Sequence, residues 1–260
     1  MAAMVAVGHQ PPAGSSQLPV MAATLVSRPW TNPGCHMSGT ARVASPATLS
    51  AVNERALEIL DRLVQRYPEI STALSYQDPW QLLVSTVLSA QTTDVNVNRV
   101  TPELFRAFPT PEDLAAADPE DVERIVFTTG FYRQKTKAII GLSQALADQF
   151  GGVVPDELND LVKLPGVGRK TASVVLAEAF GRPAIAVDTH VKRLSNRLGF
   201  TTQADPVKIE QDLKDLFPES AWAGLSMRLI QFGRDICTAR KPQCGECELV
   251  DLCPFPDKNL

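Results

Sequence analysis

Four of the five cysteines lie in one short segment near the C-terminus, and this grouping restricts the fold more than any other feature of the sequence. Their pattern is Cys237-x6-Cys244-x2-Cys247-x5-Cys253. Disulfide frameworks spread their cysteines along the chain, whereas four in one loop indicate a metal or cluster site in a reducing compartment. Four thiolates at this spacing suit a [4Fe–4S] cluster. Structural zinc usually takes two separate Cys-x2-Cys pairs, and because only one is present the pattern favours the cluster over zinc.

The composition leaves room for a globular protein and gives no global sign of its partner. The 260 residues are 44% hydrophobic and 21% charged, which argues against a disordered chain. No apolar run reaches the roughly 18 residues of a membrane span, so we expect no membrane partner. The formal net charge of −4 does not indicate a nucleic-acid binder. Residues 133–200 nevertheless carry ten Lys and Arg against six acids, which predicts a local electropositive surface.

The first fifty residues differ from the rest of the chain. Ala, Pro, Ser and Gly fill 25 of these positions, and the first acidic residue of the chain is Glu54. We predict that residues 1–50 form a disordered tail, in which Cys35 is a free thiol. An organelle transit peptide would also lack acids, but two arginines are few for one, so organelle targeting is the less favoured reading.

After the tail, apolar residues recur at helical spacing and no alternating hairpin pattern is present. Thr101-Pro102 and Asp118-Pro119 both have the form of an N-cap followed by proline at the first helical position. The sequence therefore predicts an all-α protein of about ten helices joined by short connections.

The segment Leu164–Ala172 reads Leu-Pro-Gly-Val-Gly-Arg-Lys-Thr-Ala and lies between two predicted helices. Gly166 and Gly168 allow backbone angles and close approaches that side chains resist. Because Gly168 opens the next helix, the loop amides point toward a helix N-terminus, which binds anions such as a DNA phosphate. A tight helix–helix turn, with glycines present only for geometry, is the alternative, since short glycine motifs are weak signals.

This segment, followed by Ala-Val-Asp-Thr-His-Val at 186–191, resembles the helix–hairpin–helix–Gly/Pro–Asp superfamily of DNA base-excision glycosylases, and the endonuclease III family most closely. Residues 88–94, residues 130–132 and the cysteine loop agree with that family in order and spacing. The resemblance spans residues 51–256 and leaves only the tail outside.

The resemblance implies two helical lobes with a DNA groove between them. Residues 72–182 would form a six-helix lobe with the helix–hairpin–helix motif. Residues 51–71 and 183–256 would together form the lobe that holds one [4Fe–4S] cluster on the four cysteines. The implied activity is that of a bifunctional DNA glycosylase and AP lyase, which excises oxidised pyrimidines in base excision repair and nicks the strand by β-elimination.

Lys170 and Asp188 are the catalytic residues that the resemblance implies. Lys170 would attack the sugar C1′ as a neutral amine, and Asp188 would stabilise the positive charge that develops on the sugar. The helix N-terminus and Arg169 both add positive potential that favours the neutral amine. Without the motif, Lys170 fits an exposed helix lysine and Asp188 fits an N-cap. His190 suits a structural role as well as a substrate contact.

Several residues are predicted to contact DNA. Gln91 occupies the position from which the family inserts a glutamine into the gap left by a flipped base, with a plain polar loop residue as the alternative. Arg240 and Lys241, between the first two cysteines, suit either phosphate contact or solvated surface charge. Asp94 and Tyr132 are weaker candidates for the pocket lining. The predicted DNA contacts are Gln91, Gly166, Gly168, Arg169, Thr171, His190, Arg240 and Lys241.

Two other functions remain open at this point. A monofunctional adenine glycosylase of the same superfamily shares the cluster loop and the aspartate, but lacks a lysine at the position of Lys170 and carries an extra C-terminal domain. A non-enzymatic helix–hairpin–helix DNA-binding protein needs neither the lysine–aspartate pair nor a cluster. For the favoured function, we expect a monomer that acts on damaged double-stranded DNA in the cytoplasm, at the nucleoid.

Overall fold

A computed structural model describes the backbone of residues 46–260 and the side chains from residue 53 onward. Every regular element in this part of the chain is helical, which confirms the predicted all-α class. The α-helices in chain order are α1 (Pro46–Arg66), α2 (Pro79–Leu88), α3 (Asp94–Ala107), α4 (Pro111–Ala115), α5 (Pro119–Val126), α6 (Tyr132–Phe150), α7 (Leu158–Leu161), α8 (Arg169–Phe180), α9 (Thr189–Arg197), α10 (Pro206–Leu216) and α11 (Trp222–Asp235). Short 3-10 turns lie at Phe127–Thr129, Glu219–Ala221 and Cys244–Glu246.

Aspartate N-caps followed by proline fix where several helices begin. Before α2, the side chain of Asp78 accepts a hydrogen bond from the backbone N–H of Gln81 at 2.8 Å. Before α5, Asp118 accepts one from Glu120 at 2.9 Å, which confirms the start predicted at Asp118-Pro119. These carboxylates satisfy N–H groups that have no acceptor inside the helix, and the proline at the first position loses nothing because its missing N–H would be unpaired there.

The start predicted at Thr101-Pro102 is wrong, because both residues lie inside α3. Helix α3 begins earlier, where the Thr93 side chain accepts a hydrogen bond from the N–H of Asn96 at 3.2 Å. The proline removes one backbone hydrogen bond from the helix interior. The apolar face of α3 is buried on both sides of the proline, and this continuous burial outweighs the lost bond.

Two hydrophobic cores organise the helices into two lobes. The first core takes its side chains from Leu74 to Ala184, so the first lobe contains α2 to α8. The second core combines Ala56 to Leu63 with side chains between Ile185 and Leu249, so the second lobe contains α1 and α9 to α11. The chain passes between the cores at Ala184 and Ile185. The bounds 72–182, and 51–71 with 183–256, remain a proposal, and they place the crossing two residues earlier in the chain.

Helix α1 belongs to the second lobe although it precedes the first lobe in the chain. The Nη1 of Arg55 donates to the carbonyl oxygens of Leu198 at 2.7 Å and Leu252 at 3.0 Å. The Nη1 of Arg62 donates to the carbonyl oxygen of Glu248 at 2.7 Å. These long-range bonds attach the first helix to the segment that carries the cysteines.

The disordered tail predicted for residues 1–50 stays a prediction up to residue 45, because those residues lie outside the described part of the chain. Its last five positions differ from the expectation, since α1 begins at Pro46. A proline at the first helical position is well suited to start a helix, and the sequence pattern placed that start too late. Among the described residues, no helix combines the length and apolar character needed to cross a membrane.

Candidate active site and cluster loop

The turn before α8 requires one of its two glycines and leaves the other sterically free. Gly166 has a φ of +75°, and a Cβ there would lie 2.6 Å from the Cβ of Ala138, so a side chain does not fit. Gly168 is the N-cap of α8 with a φ of −89°, and a Cβ there would meet no atom within 4 Å. Because the fold itself does not demand glycine at 168, the surface beside it is clear for a ligand to approach the backbone.

Lys170 lies in the first turn of α8, close to the junction of the lobes. Its side chain is open to solvent on one side, but protein surrounds the rest, and the resulting loss of water lowers the pKa of the ammonium. The carboxylates of Asp188 and Asp94 oppose this by raising the pKa, and Arg234 lowers it further. The net effect is a pKa below that of a free lysine, so the neutral amine is more populated than in solution.

Asp188 is the N-cap of α9 and contributes a carboxylate next to Lys170. Its Oδ1 accepts a hydrogen bond from the N–H of Val191 at 2.8 Å, which confirms the cap. Within the described residues no hydrogen bond engages Oδ2, so the cap leaves part of the carboxylate available. Because α8 belongs to the first lobe and α9 to the second, Lys170 and Asp188 meet only where the two lobes meet.

An ion pair between the lobes lies beside this site. Arg234 on α11 donates through Nη2 to Oδ2 of Asp94, the first residue of α3, at 3.0 Å. Both charges act on the pKa of Lys170, with opposite signs. Asp94 was a weak candidate from the sequence, and Arg234 was missed, because a single arginine in an amphipathic helix has the appearance of ordinary surface charge.

Arg169 does not have the surroundings expected from the sequence. Its Nε and Nη2 donate to the two carboxylate oxygens of Glu210 on α10, at 2.6 and 2.9 Å. Glu210 is only 5% exposed. The guanidinium is thus paired across the lobes, and Arg234 rather than Arg169 is the cation that depresses the pKa of Lys170. Thr171, which follows Lys170 in the first turn of α8, is half-buried.

His190 is half-buried behind Asp188. Burial lowers the pKa of its imidazole, and Arg193 and Arg234 act in the same direction, whereas Asp188 opposes them. The Nη2 of Arg193 lies 3.2 Å from Nδ1 of the ring. The imidazole is therefore mostly neutral at neutral pH, and a contact with DNA would be a hydrogen bond rather than an ion pair.

Two exposed side chains stand on backbone that is left-handed, a conformation uncommon for residues other than glycine. Gln91, between α2 and α3, has a φ of +55°, and Phe131, before α6, has a φ of +48° and is 61% exposed. Asn96 ties the two turns together, because its Nδ2 donates to Oγ1 of Thr92 at 3.0 Å and to the carbonyl of Thr128 at 2.8 Å. Strained, exposed positions of this kind are common at functional sites.

Lys135 stabilises the turn before α6, which contains Phe131. It is buried, and its Nζ donates to the carbonyl oxygen of Thr129 at 2.7 Å. Burial lowers the pKa of this ammonium as well. Tyr132, a weaker candidate from the sequence, packs its ring on Phe127 with centroids 4.8 Å apart.

The four cysteines form no disulfide, are all half-buried, and together line one cavity. Nowhere in the described chain do three Cys, His, Asp or Glu side chains converge on a single ion position. All four cysteines line the same cavity, an arrangement that fits a cluster with iron at four corners. The apolar walls of the cavity come from Leu198, Phe232, Ile236, Val250 and Phe255.

Arg197 holds the cysteine loop in place. Its Nη1 lies 3.3 Å from the Sγ of Cys237 and donates to the carbonyl oxygen of Thr238 at 2.7 Å. Arg240 and Lys241 lie on the turn that follows, exposed to solvent, and no ion pair engages either side chain in the described residues. Their exposure fits both interpretations given from the sequence, phosphate contact and solvated surface charge.

Comparison with known proteins gives two family matches and close relatives. Residues 84–219 match the HhH-GPD superfamily base excision DNA repair protein, and residues 237–253 match the iron-sulfur binding domain of endonuclease III. The chain is 50% identical to endonuclease III of Synechocystis sp. over 79% of its length and 94% of that protein. It is 44% identical to endonuclease III of Thermotoga maritima over 78% of its length and 92% of that protein.

A solved structure described as a trapped endonuclease III–DNA covalent intermediate superposes with a TM-score of 0.75 at 43% identity, over 78% of this chain and 96% of that one. The identity thus extends over nearly the full length of the relatives and includes the cluster-binding segment. The chain belongs to the endonuclease III family, the DNA glycosylases and AP lyases of base excision repair that carry a [4Fe–4S] cluster.

Proposed function

We propose that Lys170 is the nucleophile and Asp188 its acid–base partner when this glycosylase and AP lyase excises oxidised pyrimidines. One observation carries the assignment: a solvent-accessible lysine with a lowered pKa, at a helix N-terminus of one lobe, lies beside the N-cap carboxylate of the other lobe. A lysine in this state supplies the neutral amine that covalent catalysis requires.

The reaction begins when the neutral Nζ of Lys170 attacks C1′ of the damaged nucleotide. The bond between C1′ and the base breaks, and its electron pair leaves with the base, which takes up a proton. The carboxylate of Asp188 stabilises the positive charge on the sugar and accepts a proton from the lysine nitrogen. These roles need an open carboxylate oxygen and a nearby amine, which are the features described for this pair.

The strand is cut in a second stage. Opening of the sugar ring converts the Lys170 adduct into an imine, which acidifies the hydrogen on C2′. Loss of that proton places a double bond in the sugar and expels the 3′ phosphate by β-elimination. Water then hydrolyses the imine and returns the free lysine.

None of these reaction steps uses the iron–sulfur cluster. Cys237, Cys244, Cys247 and Cys253 would hold it, and when bound it supplies iron–thiolate links that fix the loop. Arg197 orients the start of this loop, and Arg240 and Lys241 extend from it toward the DNA backbone. We assign these two cations to phosphate contact, because they are exposed and unpaired.

The DNA surface combines this basic turn with the hairpin and the two strained turns. The amides around Gly166 and Gly168 bind a phosphate at the N-terminus of α8. Gln91 enters the space left by the flipped base, and Phe131, exposed on the turn linked to it through Asn96, is a second side chain suited to insertion. The substrate we propose is damaged double-stranded DNA, bound by a monomer in the reducing cytoplasm, at the nucleoid.

Borohydride trapping on duplex DNA with a thymine glycol tests the assignment. Lys170→Gln should abolish the trapped species and base release, and should change DNA affinity by less than about tenfold because the phosphate-binding amides remain. Lys163→Gln is the matched control, since Lys163 is an exposed lysine of the same hairpin that pairs with Asp160. Wild-type trapping by Lys170→Gln, at a yield equal to the control, would reject Lys170 as the nucleophile.

A further inference from the structure

Glu210 is a buried carboxylate that joins the two lobes next to the catalytic lysine. It lies on α10 of the second lobe, and Arg169 on α8 of the first lobe grips both of its oxygens, at 2.6 and 2.9 Å. Lys214, one helical turn away on the same α10, pairs with Oε1 at 2.7 Å. One carboxylate thus receives one cation from each lobe.

Glu210, Arg169 and Lys214 form a closely paired group of charges. Burial by itself would raise the pKa of Glu210, but its hydrogen bonds with Arg169 and Lys214 outweigh burial and leave the pKa below its ordinary value. The carboxylate is therefore ionised at neutral pH. Bidentate pairing with a planar guanidinium also fixes direction as well as distance, which a single point contact does not.

The position of this pair gives it a role beyond stability. Arg169 is adjacent to Lys170, at the first turn of α8, and Lys170 must meet Asp188 of the opposite lobe. Any rotation or slide between the lobes changes the distance between amine and carboxylate. The Arg169–Glu210 pair restrains that movement at the residue next to the amine, and the Asp94–Arg234 pair joins the lobes a second time at 3.0 Å.

We propose that Glu210, acting through Arg169, is a positioning residue that sets Lys170 against Asp188, and that Arg169 does not bind a DNA phosphate. This inference rests on the proposed catalytic roles of Lys170 and Asp188. It replaces the expectation that Arg169, as part of the hairpin motif, contacts DNA. Loss of the pair lowers the rate of chemistry on bound DNA and leaves the electrostatics of binding nearly unchanged.

The test compares Arg169→Met, Arg169→Lys and Glu210→Gln with Lys214→Met. The last variant is the matched control, because it removes a cation from the same carboxylate but within one lobe. For each variant we would measure melting temperature, single-turnover base release at saturating damaged DNA, and the slope of log K against log salt. Arg169→Met carries the test even if Glu210→Gln fails to fold, since Arg169 is partly exposed.

We expect Arg169→Met and Glu210→Gln to slow base release by up to about 100-fold, the scale of a misplacement near 1 Å. Arg169→Lys keeps the positive charge but not the two hydrogen bonds to Glu210, so it should retain part of the rate of base release that Arg169→Met loses. Lys214→Met should lower the melting temperature and keep the rate. The salt slope should be that of the wild type in all four variants.

Two results would overturn the proposal. A salt slope flatter by about 0.9 in Arg169→Met would identify a lost phosphate contact. Base release at the wild-type rate in Arg169→Met, or an equal slowing in Lys214→Met, would show that the pair does not position Lys170. Either result leaves trapping by Lys170→Gln absent, so failure of this inference is distinguishable from failure of the catalytic assignment.

Discussion

Burial lowers the pKa of both Lys135 and Lys170, but the regions around the two lysines differ in solvent access and in neighbouring charges. Lys135 is enclosed in the first lobe, and its ammonium is committed to the carbonyl oxygen of Thr129 at 2.7 Å. Lys170 is reached by solvent at the junction of the lobes, where the charges of Asp188, Asp94 and Arg234 act on it.

The comparison teaches that a lowered pKa does not by itself make a nucleophile. Access for a substrate and a carboxylate that can take the proton are also required, and only the region around Lys170 offers both. In the region around Lys135 the same desolvation serves to hold a turn. The following predictions test how far this separation between a catalytic and a structural lysine holds.

The largest effect on base release is expected from replacing Asp188, the carboxylate beside Lys170 that has no counterpart beside Lys135. Asp188→Asn keeps the shape and a cap acceptor for α9, but it removes the charge beside Lys170. Single-turnover base release should slow by about 10²–10⁴, the usual contribution of a positioned acid–base group. Cleavage of a ready-made abasic site should slow less, because no base has to leave. Equal losses in both assays would mean that Asp188 acts only as a cap.

Lys135→Met should affect the fold and spare the chemistry. The carbonyl of Thr129 loses its buried partner, which should reduce the free energy of unfolding by about 1–3 kcal/mol. Denaturant unfolding measures this loss, and borohydride trapping at an abasic site should proceed to the wild-type yield. If trapping disappears while the protein remains folded, the division between the two lysines is incorrect.

The pH dependence of base release should distinguish the effects of Asp94 and Arg234 on the pKa of Lys170. The rate rises with pH as Lys170 loses its proton, so a lower pKa moves the rise to lower pH. Asp94 raises this pKa and Arg234 lowers it. Asp94→Asn should therefore shift the rise to lower pH and Arg234→Gln to higher pH. Each shift should be less than about one pH unit, because solvent screens both charges.

Shifts of opposite sign are the decisive feature of that experiment. Loosening the lobes would move both profiles in the same direction, since both variants break the same ion pair at 3.0 Å. Lys135→Met serves as the control, because Lys135 lies in the other region, and its profile should coincide with that of the wild type.

The smallest effect on catalysis is expected from Arg240 and Lys241, two cations on the protein surface. Replacing both Arg240 and Lys241 by glutamine should weaken binding to damaged and undamaged DNA alike. The slope of log K against log salt should flatten by about 1.8, at about 0.9 per phosphate contact. Base release at saturating DNA should keep its rate, and an unchanged slope would show that neither cation contacts phosphate.

The local features of this site could be predicted from the sequence, and the pairings between lobes could not. The cysteine spacing, the hairpin turn and the cap at Asp188 each follow from residues close together in the chain. The partner of Arg169 is Glu210, on a helix of the other lobe, and nothing in the hairpin motif indicates it. The sequence therefore predicts a functional residue at Arg169 but not its protein partner, and the contact of Arg169 with DNA stays a prediction.

Two further differences have a physical reason of the same kind. The proline at position 102 signalled a helix start, but tertiary burial carries α3 through it. The left-handed backbone at Gln91 and Phe131 leaves no mark in the sequence, because neither residue is a glycine. Motif and spacing report local chemistry, whereas strain and long-range pairing are imposed by the packed fold.

The arrangement of α1 has a consequence for the order in which the molecule is made. Synthesis proceeds from the N-terminus, so α1 leaves the ribosome long before Leu252, whose carbonyl its Arg55 binds across 197 positions. The first lobe, with Lys170 at its edge, is complete while the second still lacks most of its core. Lys170 therefore exists before Asp188 can be held beside it, and a nascent chain completes the proposed active site only in the last stage of its synthesis.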